Sequence, residues 1–128
     1  ACMKAIEKSG KKVVLVSSHS LSHRHFVTEA PLPEDMSREH IYNHSQYVWD
    51  MKIIDMFREG KMQEVVDIMP EYTEQTIAET EAGGLIWMMA AMGVPSYPAE
   101  IYGYQSVIGT GNCIACWDPN TNTRELVL

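Results

Sequence analysis

The sequence lacks several features that would each point to a broad class of protein. No basic cluster is longer than Lys11-Lys12 and the formal net charge is −7, so a nucleic-acid partner is not expected. No apolar run has the length of a membrane span, and the start does not resemble a signal peptide. No nucleophile elbow surrounds a serine, and three cysteines are an odd number for a disulfide framework. We therefore predict a cytoplasmic protein that does not use a serine or cysteine nucleophile.

The composition is that of a folded domain. The chain has 128 residues, of which 45% are hydrophobic and 21% charged, which is typical of globular proteins. This length suits a single domain with a usable core, or part of one. Cys113 and Cys116 fall on a segment predicted to be extended, where their side chains point to opposite faces. We expect buried, reduced thiols rather than a disulfide or a shared metal.

The stretch Val13–Phe26, VVLVSSHSLSHRHF, carries the strongest functional pattern. Its apolar start, Val13–Val16, predicts a strand that is buried on both faces. A short helix over Cys2–Ser9, ending at Gly10, precedes the strand. The polar loop after the strand contains three histidines: His19, His23 and His25. In α/β proteins the carboxyl end of a buried strand is the usual place for a site, so this loop is the candidate active-site loop.

A second pair of histidines, His40 and His44, is spaced four residues apart. On a helix the two side chains would share a face and could bind a metal ion together. The sequence favours the alternative, two solvated or lightly hydrogen-bonded side chains, because no third ligand is evident. The segment Thr28–Glu34 contains two prolines and is expected to be an irregular connection.

The middle of the chain is predicted to be helical. A helix over Ser45–Glu59 ends at Gly60, and a shorter one over Lys61–Met69 stops at Pro70. An acidic helical segment covers Glu71–Ala82, and an apolar helix over Leu85–Met92 ends at Gly93. On the first helix we expect two buried stripes: Tyr47, Met51 and Ile54, and beside them Trp49, Ile53 and Phe57.

Five carboxylates lie in or near the acidic segment: Asp67, Glu71, Glu74, Glu79 and Glu81. Most of them are expected to form a solvated face. Glu79 and Glu81 stand next to the apolar helix, where the chain passes from a polar surface or cavity into the core. One of these two is therefore best placed to be buried and functional.

The C-terminal part is predicted to contain short strands. Glu100–Ile108 and Cys113–Trp117 read as strands joined by a turn at Gly109–Asn112, and Glu125–Leu128 as a last strand or tail. The GTGN turn lacks the spacing of a phosphate-binding loop.

The combination of a histidine loop and a glutamate on a distant helix has a limited set of chemical uses. Histidine and carboxylate together are the ligand set of non-haem iron or zinc sites, and a further histidine can act as an acid or base. From these residues alone, a zinc hydrolase, an iron oxygenase and a polar loop without metal all stay open.

Four segments resemble a known family. They are VLVSSHSLSHRHF, PEDMSREHIYNHSQYVWDM, AETEAGGLIWMMAAMG and PAEIYGYQSVIGTGNCIACWDP. Together they resemble the class III extradiol ring-cleavage dioxygenases, the protocatechuate 4,5-dioxygenase-like superfamily, and within it most of all the aminophenol-cleaving β subunits. The resemblance covers residues 1–128 as a single or partial domain, the C-terminal half of a catalytic subunit. It implies that half of the family's α/β catalytic fold, a buried sheet with flanking helices.

The resemblance also implies roles for two residues. The Leu21-Ser22-His23 match gives the acid/base role to His23. The glutamate that binds Fe(II) in this family corresponds to Glu79, with Glu81 in reserve. The two histidine ligands belong to the N-terminal half of family members, which no segment here matches, so the remaining histidines are not assigned: His19, His25, His40 and His44.

Two functions therefore follow as alternatives. In the first, the protein is part of an Fe(II)-dependent dioxygenase that cleaves the ring of a 2-aminophenol or catechol type substrate with O₂. In the second, it is a structural or partner subunit of the same fold without its own metal. Both imply association with the N-terminal half or with a second subunit, and an oligomer is expected. Substrate-binding residues are not assigned.

Overall fold

The computed structural model describes residues 1–25 and 40–120. In this part of the chain the helices are α1 (Cys2–Ser9), α2 (His44–Glu59), α3 (Met62–Thr76) and α4 (Gly83–Met92). A 3₁₀ turn (Glu79–Ala82) lies between α3 and α4. The strands β1 (Glu100–Val107) and β2 (Thr110–Cys116) form an antiparallel hairpin. This mixture of helices and sheet agrees with the predicted α/β class.

Helix α2 forms the centre of the core with α3. It begins where the side chain of Asn43 accepts a hydrogen bond from the Gln46 amide, and it ends at Gly60 in the left-handed conformation. Its buried face consists of Gln46, Asp50, Ile53, Ile54 and Phe57. The predicted stripes were therefore wrong in part, because Tyr47 is 41% exposed and two polar residues occupy the buried line instead.

Helix α3 is continuous through Pro70, which corrects the predicted break at this residue. Its buried residues are Met62, Val65, Met69, Tyr72 and Thr76. They recur every three or four positions on both sides of the proline, so one apolar stripe packs along the whole helix. That packing outweighs the cost of a proline inside a helix, about 3 kcal/mol. The helix then ends at Thr76, and the acidic segment does not continue as a helix to Ala82.

The β-hairpin has a tighter turn than predicted. Val107 pairs with Thr110, so the turn consists of Ile108 and Gly109, whose φ angles are 51° and 87°. Positive φ at both central residues is typical of type I′ turns, which two-residue hairpins favour because their twist matches that of the strands. Gly111, predicted to be in the turn, is instead buried within β2.

Val13–Val16 does not form the predicted buried strand. Residues 13–20 have no regular secondary structure, and Val14 and Val16 are 85% and 75% exposed. Such a strand needs neighbouring strands for its backbone hydrogen bonds and packed layers on both of its faces, and the strands in the described residues pair with each other instead. The buried sheet implied by the resemblance is, in this part of the chain, a two-stranded hairpin.

Two further predictions need correction. Helix α4 ends at Gly93 as predicted, but only part of it is buried, since Ile86 and Trp87 are 43% and 46% exposed. The cysteines are free as expected, although Cys2 and Cys116 are exposed rather than buried. In the described ranges, no helix is both long and apolar enough to cross a membrane. The predictions for Thr28–Glu34 and Glu125–Leu128 lie outside the described residues.

We predict that Gly60→Ala destabilises the fold more than Gly10→Ala does. Both glycines have a positive φ, so each substitution incurs left-handed strain of about 1–2 kcal/mol. At Gly60 the new Cβ would also lie 2.9 Å from the backbone oxygen of Ser96, whereas at Gly10 no atom lies within 4 Å. Urea denaturation should give a loss larger by about 1–3 kcal/mol for Gly60→Ala. Equal losses would contradict the steric argument.

Candidate active site

The histidine loop (residues 17–25), which contains the predicted catalytic histidine, is hydrogen-bonded to β2 and to the end of α3. The Leu21 amide donates to the Gly111 carbonyl (2.8 Å), and the Gly111 amide donates to the Ser22 carbonyl (3.0 Å). The His23 amide donates to the carbonyl of Thr76 at the end of α3 (3.3 Å). Ser20, Leu21 and Ser22 are buried, while His23 is half-buried. The imidazole is therefore presented at the surface by a fixed backbone.

A buried carboxylate lies directly beneath this loop. Asp50 on α2 has no exposed surface and accepts four hydrogen bonds. The Ser22 amide (3.1 Å) and the Tyr72 hydroxyl (2.9 Å) donate to Oδ1. The Ser22 hydroxyl and the Tyr104 hydroxyl, both at 2.7 Å, donate to Oδ2. The carboxylate thus connects α2 with the histidine loop, α3 and β1.

The electrostatics of this cluster follow from its burial. Burial raises the pKa of Asp50, and the hydrogen bonds from Ser22 and the two tyrosines oppose that rise. Burial and the adjacent Asp50 carboxylate raise the pKa of both Tyr72 and Tyr104 far above the usual value. Both phenols therefore stay protonated at neutral pH and act as hydrogen-bond donors.

The structure brings His23 and Glu79 together. The distance from His23 Nδ1 to Glu79 Oε2 is 3.9 Å, and each side chain is 33% exposed. Ser20 connects the two residues, since its hydroxyl lies 3.1 Å from His23 Nδ1 and its amide donates to Glu79 Oε2 at 2.5 Å. The Nε2 atoms of His23 and His25 lie 3.2 Å apart. The side chains of His23 and Glu79 thus lie next to each other at the solvent-exposed surface.

The backbone around Glu79 is strained. Ile77 has a φ of 50°, and Thr80, Glu81 and Ala82 are three successive residues with φ between 49° and 57°. Residues other than glycine rarely adopt this conformation, and it concentrates at functional sites. The hydrogen bond from the Ser20 amide lowers the pKa of Glu79, so its side chain is a carboxylate at neutral pH. Glu81, the reserve candidate, is exposed.

The other histidines occupy different environments. His19 Nδ1 lies 3.1 Å from the Ser17 hydroxyl, and burial lowers the pKa of His19 while Glu79 opposes that shift. His40 and His44 do not share a helix, because α2 begins at His44. His40 Nδ1 lies 3.1 Å from the Ile41 carbonyl oxygen, and the His44 ring stacks on Tyr47. Within residues 1–25 and 40–120, no three His, Cys, Asp or Glu side chains are grouped so as to hold a metal ion.

Comparison with known proteins identifies the family. The protein-family model described as the catalytic LigB subunit of aromatic ring-opening dioxygenase matches residues 1–114. The chain belongs to the LigB family. This membership confirms the resemblance seen in the sequence motifs.

Two curated relatives place this LigB-family chain in context. It is 48% identical over 118 residues to the 2-aminophenol 1,6-dioxygenase beta subunit of a Pseudomonas species, a match that covers 92% of this chain and 39% of the relative. It is 26% identical over 100 residues to 3,4-dihydroxyphenylacetate 2,3-dioxygenase of Escherichia coli, covering 78% of this chain and 35% of the relative. The chain therefore spans less than half the length of these relatives.

Asp50 is not among the predicted site residues, although the sequence contains a signal for it. Asp50 precedes Ile53, Ile54 and Phe57 at the helical spacing of three, four and seven residues. A single acidic residue in line with an apolar stripe indicates a buried carboxylate, and such a group needs several donors. No local pattern identifies the donors, because they come from distant parts of the chain.

Gly111→Ala should disrupt the site by displacing the buried carboxylate of Asp50. A Cβ at this position would overlap Asp50 Oδ2 and lie 2.5 Å from the Tyr104 hydroxyl. We expect the free energy of unfolding to fall by about 3 kcal/mol or more, since the buried carboxylate would lose donors. Gly103→Ala in β1 is the matched control, because no atom lies within 4 Å of its added Cβ. Similar denaturation midpoints for the two variants would refute this account.

Glu79 should make a pH-dependent contribution to stability. The pKa of Glu79 in the folded state lies below the ordinary value of 4.5, so the ionised form stabilises the folded state. The contribution is complete above about pH 4.5 and is lost as the pH falls through the folded pKa. Glu79→Gln should therefore destabilise the protein at pH 7, by about 0.5–1 kcal/mol, and less at pH 3. The measurement is urea denaturation at both pH values, with exposed Glu81→Gln as control; a constant difference for Glu79→Gln would contradict the prediction.

Proposed function

We propose that this chain forms part of an Fe(II)-dependent extradiol dioxygenase, which cleaves the ring of a 2-aminophenol or catechol type substrate with O₂. The observation that carries the proposal is the pairing of His23 with Glu79, at 3.9 Å, in a member of the LigB family. Membership in that family supports the reaction class. The named substrate of the 48% identical relative supports the aminophenol part of the substrate class.

Glu79 is proposed as one of the iron ligands. Its carboxylate is ionised and a third exposed, and the Ser20 amide fixes its orientation. Carboxylate and imidazole ligands suit non-haem Fe(II), which needs more donors than the described residues group together. We propose that the other two ligands are histidines of the N-terminal half, as the family resemblance implies. When bound, Fe(II) would offer open coordination positions to the aromatic substrate and O₂ and would allow electron density to pass from one to the other.

His23 is proposed as the acid/base catalyst. An imidazole can accept a proton from the substrate hydroxyl and return it later in the reaction. Its exposure leaves the ring accessible to a substrate. The Ser20 hydroxyl at Nδ1 and His25 at Nε2 give both ring nitrogens a polar partner, which orients the ring and offers a route for the proton.

The protein is proposed to act as part of an assembly. The relative that shares most of this chain is named as a beta subunit, and the chain spans 39% of its length. We propose that the N-terminal half or a second subunit completes the site, that the enzyme is oligomeric and that it works in the cytoplasm. In the alternative function, the chain would be a partner subunit of the same fold without a metal.

The test compares three variants of the complete enzyme, measuring iron per subunit and turnover of 2-aminophenol and catechol. His23→Ala should retain iron while turnover falls by roughly 10²–10⁴, the usual contribution of positioned proton transfer. Glu79→Ala should lose iron affinity, with activity partly restored by excess Fe(II). Glu81→Ala, the matched control, should change both quantities little because its side chain is exposed.

The opposite pattern would overturn both assignments. If His23→Ala loses iron while Glu79→Ala keeps it, His23 is a ligand and Glu79 is not. If neither His23→Ala nor Glu79→Ala changes the iron content or the turnover of the complete enzyme, this chain holds no metal of its own and the partner-subunit function is the correct one.

A further inference from the structure

We propose that Asp50 is a positioning residue for His23, holding the histidine loop in the orientation that proton transfer requires. The inference rests on the proposed role of His23 and adds a residue that does not touch the reacting groups. Asp50 has no exposed surface, so it cannot contact a substrate. Any effect of Asp50 on turnover must therefore pass through its hydrogen-bond partners.

Asp50 contacts Ser22, the residue directly before His23, through two hydrogen bonds. Asp50 holds Ser22 at both its amide (3.1 Å) and its hydroxyl (2.7 Å). Two bonds to one residue fix its position and its rotation. The Ser22 hydroxyl also accepts from the Gly111 amide at 3.1 Å, which attaches the same residue to β2.

The backbone of His23 is also anchored to the face of α2 that carries Asp50. Its amide donates to the Thr76 carbonyl (3.3 Å), and that carbonyl also accepts from Gln46 Nε2 (2.8 Å). Gln46 lies one helical turn before Asp50 on the buried face of α2. The same helical face therefore anchors the loop at Ser22 directly and at His23 through Thr76.

Only a carboxylate can accept all four of the hydrogen bonds made at this position. An ionised carboxylate accepts at both oxygens, which matches the four donors from Ser22, Tyr72 and Tyr104. An asparagine would present an NH₂ group to donors on one side. Tyr72 and Tyr104 hold the carboxylate from α3 and β1, so it cannot rotate to follow a displaced loop. A displacement of about 1 Å in a catalytic group can lower the rate about 10²-fold.

The experiment uses the complete enzyme and the variant Asp50→Asn. We expect kcat to fall about 10–100-fold, while KM and iron per subunit change less than about 2-fold. The double variant Asp50→Asn/His23→Ala should be no slower than His23→Ala, because a residue that acts through His23 has nothing left to position. Hydrogen exchange of the Ser22 amide should become faster in Asp50→Asn, which gives a readout independent of activity.

Gly60→Ala is the control for a general loss of stability. It strains the fold at the α2–α3 connection, away from Asp50, and should leave kcat within about 2-fold of the parent enzyme. If Asp50→Asn does not fold, Tyr104→Phe provides the second variant, since it removes one donor from Oδ2. It should lower kcat about 3–10-fold, and that loss should also disappear in the His23→Ala background.

The outcomes separate this inference from the proposed function. If His23→Ala itself leaves turnover unchanged, the proposed role of His23 fails. If His23→Ala lowers turnover but the Asp50 or Tyr104 loss multiplies with it, His23 keeps its role and the positioning inference is overturned. An unchanged kcat in Asp50→Asn overturns the inference as well.

Discussion

The buried carboxylate of Asp50 is the interaction on which the rest of the structure depends. A charged group without exposed surface is costly unless donors surround it, and here they come from the histidine loop, α3 and β1. None of these elements can move away without leaving a buried polar group unpaired. Because the same bonds hold Ser22, stability and the placement of His23 depend on one interaction.

Local patterns predicted the elements whose ends are set by local chemistry. Gly10, Gly60 and Gly93 end α1, α2 and α4 in the left-handed conformation, as their positions after predicted helical segments indicated. The family resemblance singled out His23 and Glu79, which periodicity alone could not pair. The fold brings His23 Nδ1 and Glu79 Oε2 to a distance of 3.9 Å.

The wrong predictions share a physical origin, because each feature depends on distant residues. Pro70 lies within a helix since packing along α3 outweighs a local preference, and Val13–Val16 has no flanking strand in the described residues. The sequence pattern predicted Gly111 to be a turn residue. In the structure it lies in β2, where its lack of a side chain makes room for Asp50. The left-handed residues after Glu79 follow no local signal, and the hydrogen bond from Ser20 to Glu79 helps hold this turn.

The sequence separation of the Asp50 partners has a consequence for the order of folding. Asp50 is 22 residues from Tyr72, 28 from Ser22 and 54 from Tyr104, and Ser22 meets Gly111 across 89 residues. Closing such long loops costs chain entropy before any bond is gained. The helices and the hairpin can form from nearby residues, but the histidine loop finds its partners only after these elements have met. Among the described residues, we therefore expect the candidate active site to be the last part to become ordered.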